Sequence, residues 1–378
     1  MTTIALGEVA SINPRGERVK ATDVVSFVGM AELNAETAVA QPLEDREFAE
    51  VSKGYTVFRD GDVLAAKITP CWENGKVGQA RLDHPIGVGS TEFHVLRPTS
   101  SLDHRYLLHF LRQPSVRATG ELRMTGSAGQ RRVPVAFLQE LQIPLPPLPE
   151  QRRIAAILDH ADALRAKRRQ VLTHLEALIR STFRAAFADV SETSRLGDLA
   201  TTTSGGTPNR SVSSNYGGGI PWVKSGELHA GLVTETEETI SAQGLSSSSA
   251  KVFPAGTVLL AMYGATAGVV GRLGVDAATN QAICAITPGP SLDADYLIAA
   301  LRAQAVQLVA KAAGGAQPNL SQGIVRDIDI PVPSLDDQKR FASQAAAIDA
   351  RRSDVVHAKA LDDDLFASLQ SRAFRGEL

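Results

Sequence analysis

The chain has 378 residues, of which 43% are hydrophobic, and a formal net charge of -2 at pH 7. This length leaves room for two domains that each bury a core, and the composition is that of an ordinary globular protein. The N-terminus lacks the basic and apolar segments of a signal peptide. The longest apolar run, residues 258–270, is too short to cross a bilayer. We therefore expect a cytoplasmic protein.

Positive charge is concentrated in the middle of the chain. Residues 105–187 carry 14 Lys and Arg against 6 Asp and Glu, whereas residues 1–104 carry 10 against 15 and residues 188–378 carry 15 against 20. Because the distribution of charge matters more than its total, the near-neutral net charge does not exclude binding to nucleic acid.

Short apolar segments and turn residues alternate over the first 149 residues. Residues 63–68 and 87–98 are predicted strands, residues 102–117 form a predicted helix with one apolar face, and residues 138–143 a last short strand. A mixture of short strands and few helices predicts an α+β domain.

A long helix is predicted over residues 150–188. Pro149 and Glu150 suit its first turn, and apolar residues then recur at spacings of three and four, interrupted by Arg168. Such a stripe predicts pairing with another helix. Residues 337–378 form the second predicted helix, opened by the capping box of Ser334 and Asp337 and ended at Gly376. The residues expected at the helix or partner interface are Ile154, Ile157, Leu164, Val171, Leu175, Leu178, Ile348, Val355, Leu365 and Leu369.

The two halves of the chain are a tandem duplication. Residues 143–155 (IPLPPLPEQRRIA) and 330–342 (IPVPSLDDQKRFA) match at seven of thirteen positions with a shift of 187. Residues 102–112 and 292–302 match at six of eleven with a shift of 190. A near-constant shift indicates two copies of one fold, because repeats of this length are whole structural units.

The repeat predicts four parts. These are two α+β domains, residues 1–149 and 189–336, and two helices, residues 150–188 and 337–378. Between the matching segments the two domains diverge strongly, which predicts related domains that recognise different things.

The sequence contains no pattern typical of a catalytic or metal site. It lacks the phosphate-binding G-x-x-x-x-G-K-[ST], the zinc-binding H-E-x-x-H and the nucleophile turn G-x-S-x-G. The eight histidines are scattered. We expect no enzymatic activity of the chain itself and no metal.

Polar residues in the predicted loops are of the types that bond to phosphates or base edges. Turn formation and capping are the competing interpretation for each of them, and Arg131 and Arg132, next to glycines, suit phosphate best. The candidates in the first domain are Lys67, Asn74, Lys76, Ser90, Thr91, Glu92, Arg131 and Arg132. Those in the second are Thr207, Arg210, Lys224, Thr266, Asn280, Gln281, Gln317 and Asn319.

Together these features resemble the specificity subunits of Type I restriction-modification enzymes. The resemblance covers essentially the whole chain and rests on several motifs jointly. They are IPLPPLPEQRRIA at residues 143–155 with the long helix that follows it, and the matching IPVPSLDDQKRFA at 330–342. The others are LGEVA at 6–10 and LGDLA at 196–200, at the start of the two domains, GSTEFHVLRP at 89–98, TSGGTP at 203–208 and IPWVKSGEL at 220–228.

The resemblance implies a non-catalytic subunit that binds double-stranded DNA through two target recognition domains, each reading one half of a bipartite, asymmetric site. The two helices would form an antiparallel coiled coil that separates the domains and docks two methyltransferase subunits. Restriction or translocase subunits would join through that complex. Adenine methylation and its cofactor, S-adenosylmethionine, would belong to the methyltransferase, so this chain would hold no cofactor.

Two alternatives remain open at this point. One is a specificity subunit of a Type IIB restriction enzyme, whose partner methylates and cuts in a single polypeptide. The other is a coiled-coil scaffold that carries two protein-binding domains.

Overall fold

The computed structural model describes residues 2–15, 17–127, 129–188, 190, 192–311 and 319–378. It divides into two compact units: unit 1 comprises Met1–Arg169 and Ala358–Leu378, and unit 2 comprises Gln170–His357. Each unit contains one α+β domain together with part of each long helix. The predicted duplication and fold class are confirmed.

In unit 1 a six-stranded sheet has the order β2-β11-β8-β9-β5-β4, a four-stranded sheet has the order β6-β3-β10-β7, and β1 pairs with β12. The first part of the unit consists of β1 (Thr3–Ala5), α1 (Leu6–Val9), β2 (Ala10–Ile12), β3 (Val24–Val28), β4 (Leu33–Asn34), β5 (Val39–Ala40), β6 (Glu44–Glu47), α2 (Phe48–Val51) and β7 (Thr56–Arg59). It continues with β8 (Val63–Ala66), β9 (Val77–Ala80), β10 (Ile86–Gly89), β11 (Phe93–Pro98), α3 (His104–Leu111), α4 (Pro114–Leu122), α5 (Val135–Glu140), β12 (Gln142–Pro144) and the part of the long α6 (Leu148–Phe187) that ends at Arg169.

Unit 2 repeats this plan with the orders β14-β22-β19-β20-β16 and β17-β15-β21-β18 and the pair β13-β23. Its first elements are β13 (Thr193–Arg195), α7 (Leu196–Leu199), β14 (Ala200–Ser204), β15 (Tyr216–Val223), β16 (Leu232–Val233), β17 (Glu238–Ile240), α8 (Ala242–Ser246) and β18 (Val252–Phe253). The others are β19 (Val258–Ala261), β20 (Val270–Leu273), β21 (Ala277–Thr279), β22 (Ile283–Pro288), α9 (Ala294–Lys311), α10 (Gln322–Arg326), β23 (Asp329–Pro331) and the part of the long α11 (Leu335–Arg375) that ends at His357.

Two local predictions for the end of the first domain were wrong in part. The single helix predicted over residues 102–117 is divided into α3 and α4, because Gln113, before Pro114, takes the extended conformation that a following proline favours. The strand predicted over residues 138–143 begins as helix α5 and becomes β12 only at Gln142. At the second long helix one half of the predicted capping box is present, since the Asp337 backbone N–H donates to Ser334 Oγ at 3.2 Å. The Asp337 carboxylate accepts from the Ser334 hydroxyl at 2.6 Å.

A buried glutamine explains why the repeat is strongest at the start of each long helix. The Gln151 amide is fully buried and donates to the carbonyl oxygens of Ser101 and Pro146 at 2.9 and 2.8 Å. Its Oε1 accepts from the backbone N–H of Asp103, 2.8 Å away. In unit 2 Gln338 makes the equivalent bonds to Ser291, Pro333 and Asp293. Since an unpaired buried amide is costly, this position tolerates little besides glutamine.

The two long helices run antiparallel within each unit, as predicted. In unit 1 Arg165 bonds to Asp363 at 2.6 Å and Arg168 to Asp362 at 3.1 Å. The residue number of the paired position therefore falls along α11 as it rises along α6. In unit 2 Glu176 lies 3.8 Å from Arg352, and the rings of Phe187 and Phe341 lie 5.2 Å apart.

The predicted pairing stripe, however, is displaced by about one residue. Leu158 and Ile179 are buried in the pairing face, whereas Leu164, Val171, Leu178 and Leu365 are 38%, 41%, 47% and 50% exposed. Ile154 is buried as predicted, and Ile157, Leu175, Ile348, Val355 and Leu369 are half-buried. The prediction followed apolar residues alone, and it treated Arg168 as an interruption. Arg165 and Arg168 in fact belong to the pairing face, because aspartates of α11 pair with them.

No helix in the described parts of the chain combines the length and apolar character needed to span a membrane.

Candidate nucleic-acid interface

The strand registers place several candidates of the two units at equivalent positions. In unit 1 β8 pairs with β11 so that Ala66 faces Phe93, and in unit 2 β19 pairs with β22 so that Ala261 faces Ile283. Counting back along β11 and β22 makes residues 90–91 equivalent to residues 280–281. The candidates Ser90 and Thr91 therefore occupy the same turn as Asn280 and Gln281.

Within this turn the first residue of each pair has a structural role. Ser90 Oγ accepts from the backbone N–H of Glu92, and Asn280 Oδ1 accepts from that of Ala282, both at 3.2 Å. The second residue of each pair, Thr91 or Gln281, is exposed. The capping interpretation thus holds for Ser90 and Asn280, and Thr91 and Gln281 are the better placed to meet a ligand.

Three further candidates in unit 1 lie in different surroundings. Lys67 and Thr91 line a cavity of about 360 Å³. The Lys76 Nζ donates to the Met30 carbonyl at 2.7 Å, so its ammonium is held by the fold. Asn74 is exposed and lines a separate cavity of about 260 Å³.

Arg131 and Arg132 already have acidic partners. The Arg132 guanidinium bonds to both carboxylate oxygens of Glu92, with Nη2 and Nε 2.8 and 2.9 Å from the nearest ones. Arg131 Nη2 lies 3.6 Å from Glu73 Oε1. The bond from Arg132 is the main reason that the pKa of Glu92 is lowered, so this carboxylate stays charged at neutral pH. A phosphate must compete with these carboxylates for either arginine.

We expect the double variant R131A/R132A to bind all DNA sequences more weakly. Loss of phosphate contacts should reduce the slope of log affinity against log salt by about 0.9 for each contact. The matched variant Glu92→Gln should strengthen binding, because it weakens the competing ion pair of Arg132. Affinities measured over a salt series test both expectations. An unchanged slope in the double variant would assign the two arginines to the fold or to the interface with a partner subunit.

In unit 2 the candidates gather at the ends of strands β15, β19 and β21. Thr207 hydrogen-bonds to Gln281, Lys224 pairs with Glu237 and Glu238, and Arg210 pairs with Glu238. Thr266 Oγ1 lies 3.4 Å from the Tyr263 carbonyl, and Asn319 forms a backbone bridge with Tyr263. Gln317 lies outside the described residues.

Two acidic residues of this surface, Glu237 and Glu238, are not among the candidates predicted from the sequence. They end the segment TETEE, whose three glutamates were the available signal. Because these carboxylates pair with Lys224 and Arg210, the surface combines both signs of charge and is not a simple basic patch. Within the described ranges, no group of three or more His, Cys, Asp and Glu side chains is arranged to hold a metal ion.

Comparison with known proteins agrees with this duplicated arrangement. The family model for the Type I restriction modification DNA specificity domain matches twice, over residues 1–176 and 189–358. The chain belongs to this family.

Among curated members of the specificity-domain family, two similar proteins come from Escherichia coli. The specificity subunit of the Type I restriction enzyme EcoEI is 46% identical over 153 residues, which is 40% of this chain and 26% of that protein. The subunit of EcoAI is 43% identical over 151 residues, 39% of this chain and 26% of that protein. The matched part of this chain thus spans about a quarter of the length of each relative.

Solved structures of low sequence identity share the specificity-domain fold. A chain from a structure of type I R-M complex assembly has a TM-score of 0.53 at 20% identity and covers 100% of this chain and 98% of its own length. The S subunit of a Type I restriction-modification system from M. genitalium has a TM-score of 0.52 at 15% identity, and the match covers 99% of this chain and 96% of that subunit. At these identities the likeness concerns the fold alone.

Proposed function

We propose that this chain is the DNA specificity subunit of a Type I restriction-modification system. The observation that carries the proposal is one frame built twice, whose equivalent loops hold different polar residues: Ser90 and Thr91 in unit 1, Asn280 and Gln281 in unit 2. Two such loop sets suit two different half-sites of a bipartite sequence in double-stranded DNA. The family match supports DNA as the ligand.

The same proposal assigns catalysis to partner subunits. Two methyltransferase subunits would bind S-adenosylmethionine and methylate adenine, and restriction subunits would join the assembled complex. Each unit exposes apolar side chains of the long helices that such partners would cover: Leu164 and Leu365, 38% and 50% exposed, in unit 1, and Val171 and Leu178, 41% and 47% exposed, in unit 2. Exposed apolar patches often mark a protein interface.

A binding and methylation assay tests the proposal. The chain is purified alone and together with its methyltransferase, and each preparation is incubated with random-sequence duplex DNA and S-adenosylmethionine. We expect adenine methylation at one bipartite motif with the complex and none with the chain alone. Methylation by the chain when mass spectrometry detects no partner would contradict the non-catalytic role. Absence of any DNA preference in the complex would favour the scaffold alternative.

A further inference from the structure

An aromatic ring faces a glutamate at equivalent positions of the two four-stranded sheets. In unit 1 Phe27 on β3 lies opposite Glu44 on β6, and in unit 2 Trp222 on β15 lies opposite Glu238 on β17. The parallel pairings of β3 with β10 and of β15 with β21 fix the equivalence of the two rings. The duplicated frame therefore explains why a ring and a glutamate stand together in both units.

In unit 1 an arginine lies over the ring and is held by the glutamate. The Arg46 guanidinium carbon is 3.8 Å from the centroid of the Phe27 ring. Its Nε donates to Glu44 Oε1 at 2.9 Å, and Nη2 bonds to the same oxygen. Tyr55 packs edge-on against Phe27, with ring centroids 5.3 Å apart.

Unit 2 contains the same arrangement. The Arg210 guanidinium carbon lies 4.6 Å from the centroid of the Tyr216 ring and 5.0 Å from that of Trp222. Nη1 and Nη2 of this arginine donate to the two oxygens of Glu238 at 2.5 and 3.3 Å. Tyr216 packs edge-on against Trp222 at 6.0 Å.

The duplication does not account for the arginines and tyrosines. Arg46 lies on β6, two residues after its glutamate, whereas Arg210 lies in the segment between β14 and β15. Tyr55 precedes β7, and Tyr216 begins β15. The two units thus complete the same set of four groups with an arginine and a tyrosine taken from different places in the chain. Stability is a weak reason for this recurrence, because exposed ion pairs contribute little to it.

The arrangement presents a fixed, planar donor. A guanidinium has five N–H groups in one plane, and the glutamate occupies two of the donor nitrogens in each unit. The ring and the carboxylate restrict the plane, while the Arg46 and Arg210 side chains remain 32% and 54% exposed. Bonding to the glutamate raises the pKa of each arginine, so both stay charged. An oriented fork of this kind matches the adjacent O6 and N7 acceptors of guanine with two fixed N–H groups, whereas a lysine offers a single ammonium on a flexible stem.

We propose that Arg46 and Arg210 each read a guanine, one in each half of the DNA site, and that Glu44 and Glu238 are positioning residues that orient them. This inference rests on the proposed function and adds the base and the residues that recognise it. It also predicts that each half-site contains a G·C pair.

The test uses the complex of this chain with its methyltransferase and selection of bound DNA from a random duplex library. The variants Arg46→Lys and Arg210→Lys keep the charge and remove the fork. Each should reduce the preference for guanine at one position, in one half-site only, by about 5- to 150-fold, which is the discrimination expected of a bidentate arginine–guanine pair. Glu44→Gln and Glu238→Gln should weaken the same preferences less. Arg375, at the end of α11, forms an exposed ion pair with Glu377. The variant Arg375→Lys is therefore the matched control and should leave the motif unchanged.

Three results would overturn the inference while leaving the proposed function in place. One is a wild-type motif that lacks a G·C pair in either half. Another is an unchanged preference in both lysine variants. The third is weaker binding of the variants Arg46→Gln and Arg210→Gln to all sequences alike, with a reduced slope of log affinity against log salt. That result would assign the two arginines to phosphate contacts. A wild-type complex without any sequence preference would instead refute the proposed function itself.

Discussion

Replacing residues 1–149 by the equivalent domain of another specificity subunit is expected to change one half of the methylated motif and to leave the other half as it is. The exchanged segment contains both members of the β1-β12 pair, in which Thr3 faces Pro144. It also contains both sheets of unit 1, so each strand moves together with its neighbours. The loops of the donor domain are therefore transferred together with the sheets that hold their conformation.

The contacts that must survive this exchange join the new domain to the two long helices. The donor needs an arginine at the position of Arg112, which bonds to Asp162 at 2.6 Å, and an aromatic ring at the position of Tyr106, which packs against Phe374 with ring centroids 5.0 Å apart. Sequencing of methylated adenines in a strain that expresses the chimera reads out the result. The reciprocal exchange of residues 189–336 is the control and should change only the other half. A change of both halves by a single exchange would show that the two domains do not read DNA separately.

Insertion of two residues after Lys167 is expected to prevent assembly, whereas insertion of four is expected to be tolerated. An α-helix turns about 100° per residue, so two residues rotate the rest of α6 by about 200° and four by about 400°, close to a full turn. Leu158 on one side of the insertion and Ile179 and Phe183 on the other all lie in the buried face of this helix. Only the four-residue insertion keeps both sides facing α11.

The loss in the two-residue variant should be large. Because α11 has no matching insertion, the two-residue variant cannot keep the pairing of α6 with α11 on both sides of the insertion. It loses either the contacts of unit 1, such as Arg165 with Asp363, or those of unit 2, in which Phe183 and Phe187 pack against Phe341. Removal of a single buried phenylalanine from a core costs about 3–5 kcal/mol. That loss is comparable with the whole stability of a typical domain, about 5–15 kcal/mol. Thermal unfolding and co-purification with the methyltransferase measure the effect, with the four-residue variant as the control. A two-residue variant with wild-type unfolding and assembly would show that the pairing of these helices is dispensable.

The sequence predicted the frame of this protein better than its surface. Identity between the two halves located both long helices, because residues such as Gln151 and Gln338 serve the same buried bonds in each copy. It did not locate the pairing face, since the apolar pattern omits Arg165 and treats Arg168 as an interruption, and only the structure places Asp363 and Asp362 beside them.

Among the site residues, the type of side chain predicted a polar surface and not the partner of each group. Lys76 was chosen as a cation, but a backbone carbonyl 46 residues away in the sequence holds its ammonium. Arg46 was overlooked because it lies in an acidic stretch, EDRE, and only the fold brings the Phe27 ring beneath it. Contacts between residues distant in sequence, which a single sequence does not reveal, determine these roles.

The buried glutamine at the start of each long helix has a consequence for how such proteins diversify. Every bond that Gln151 makes in closing its domain ends on a main-chain atom: the carbonyls of Ser101 and Pro146 and the amide of Asp103. Main-chain atoms are the same whatever residue carries them, so mutations in the surrounding segments leave this closure intact. The bonds of Gln151 therefore tolerate substitutions in the domain that they close, whereas the ion pair of Arg112 with Asp162 requires matching side chains in the domain and the helix.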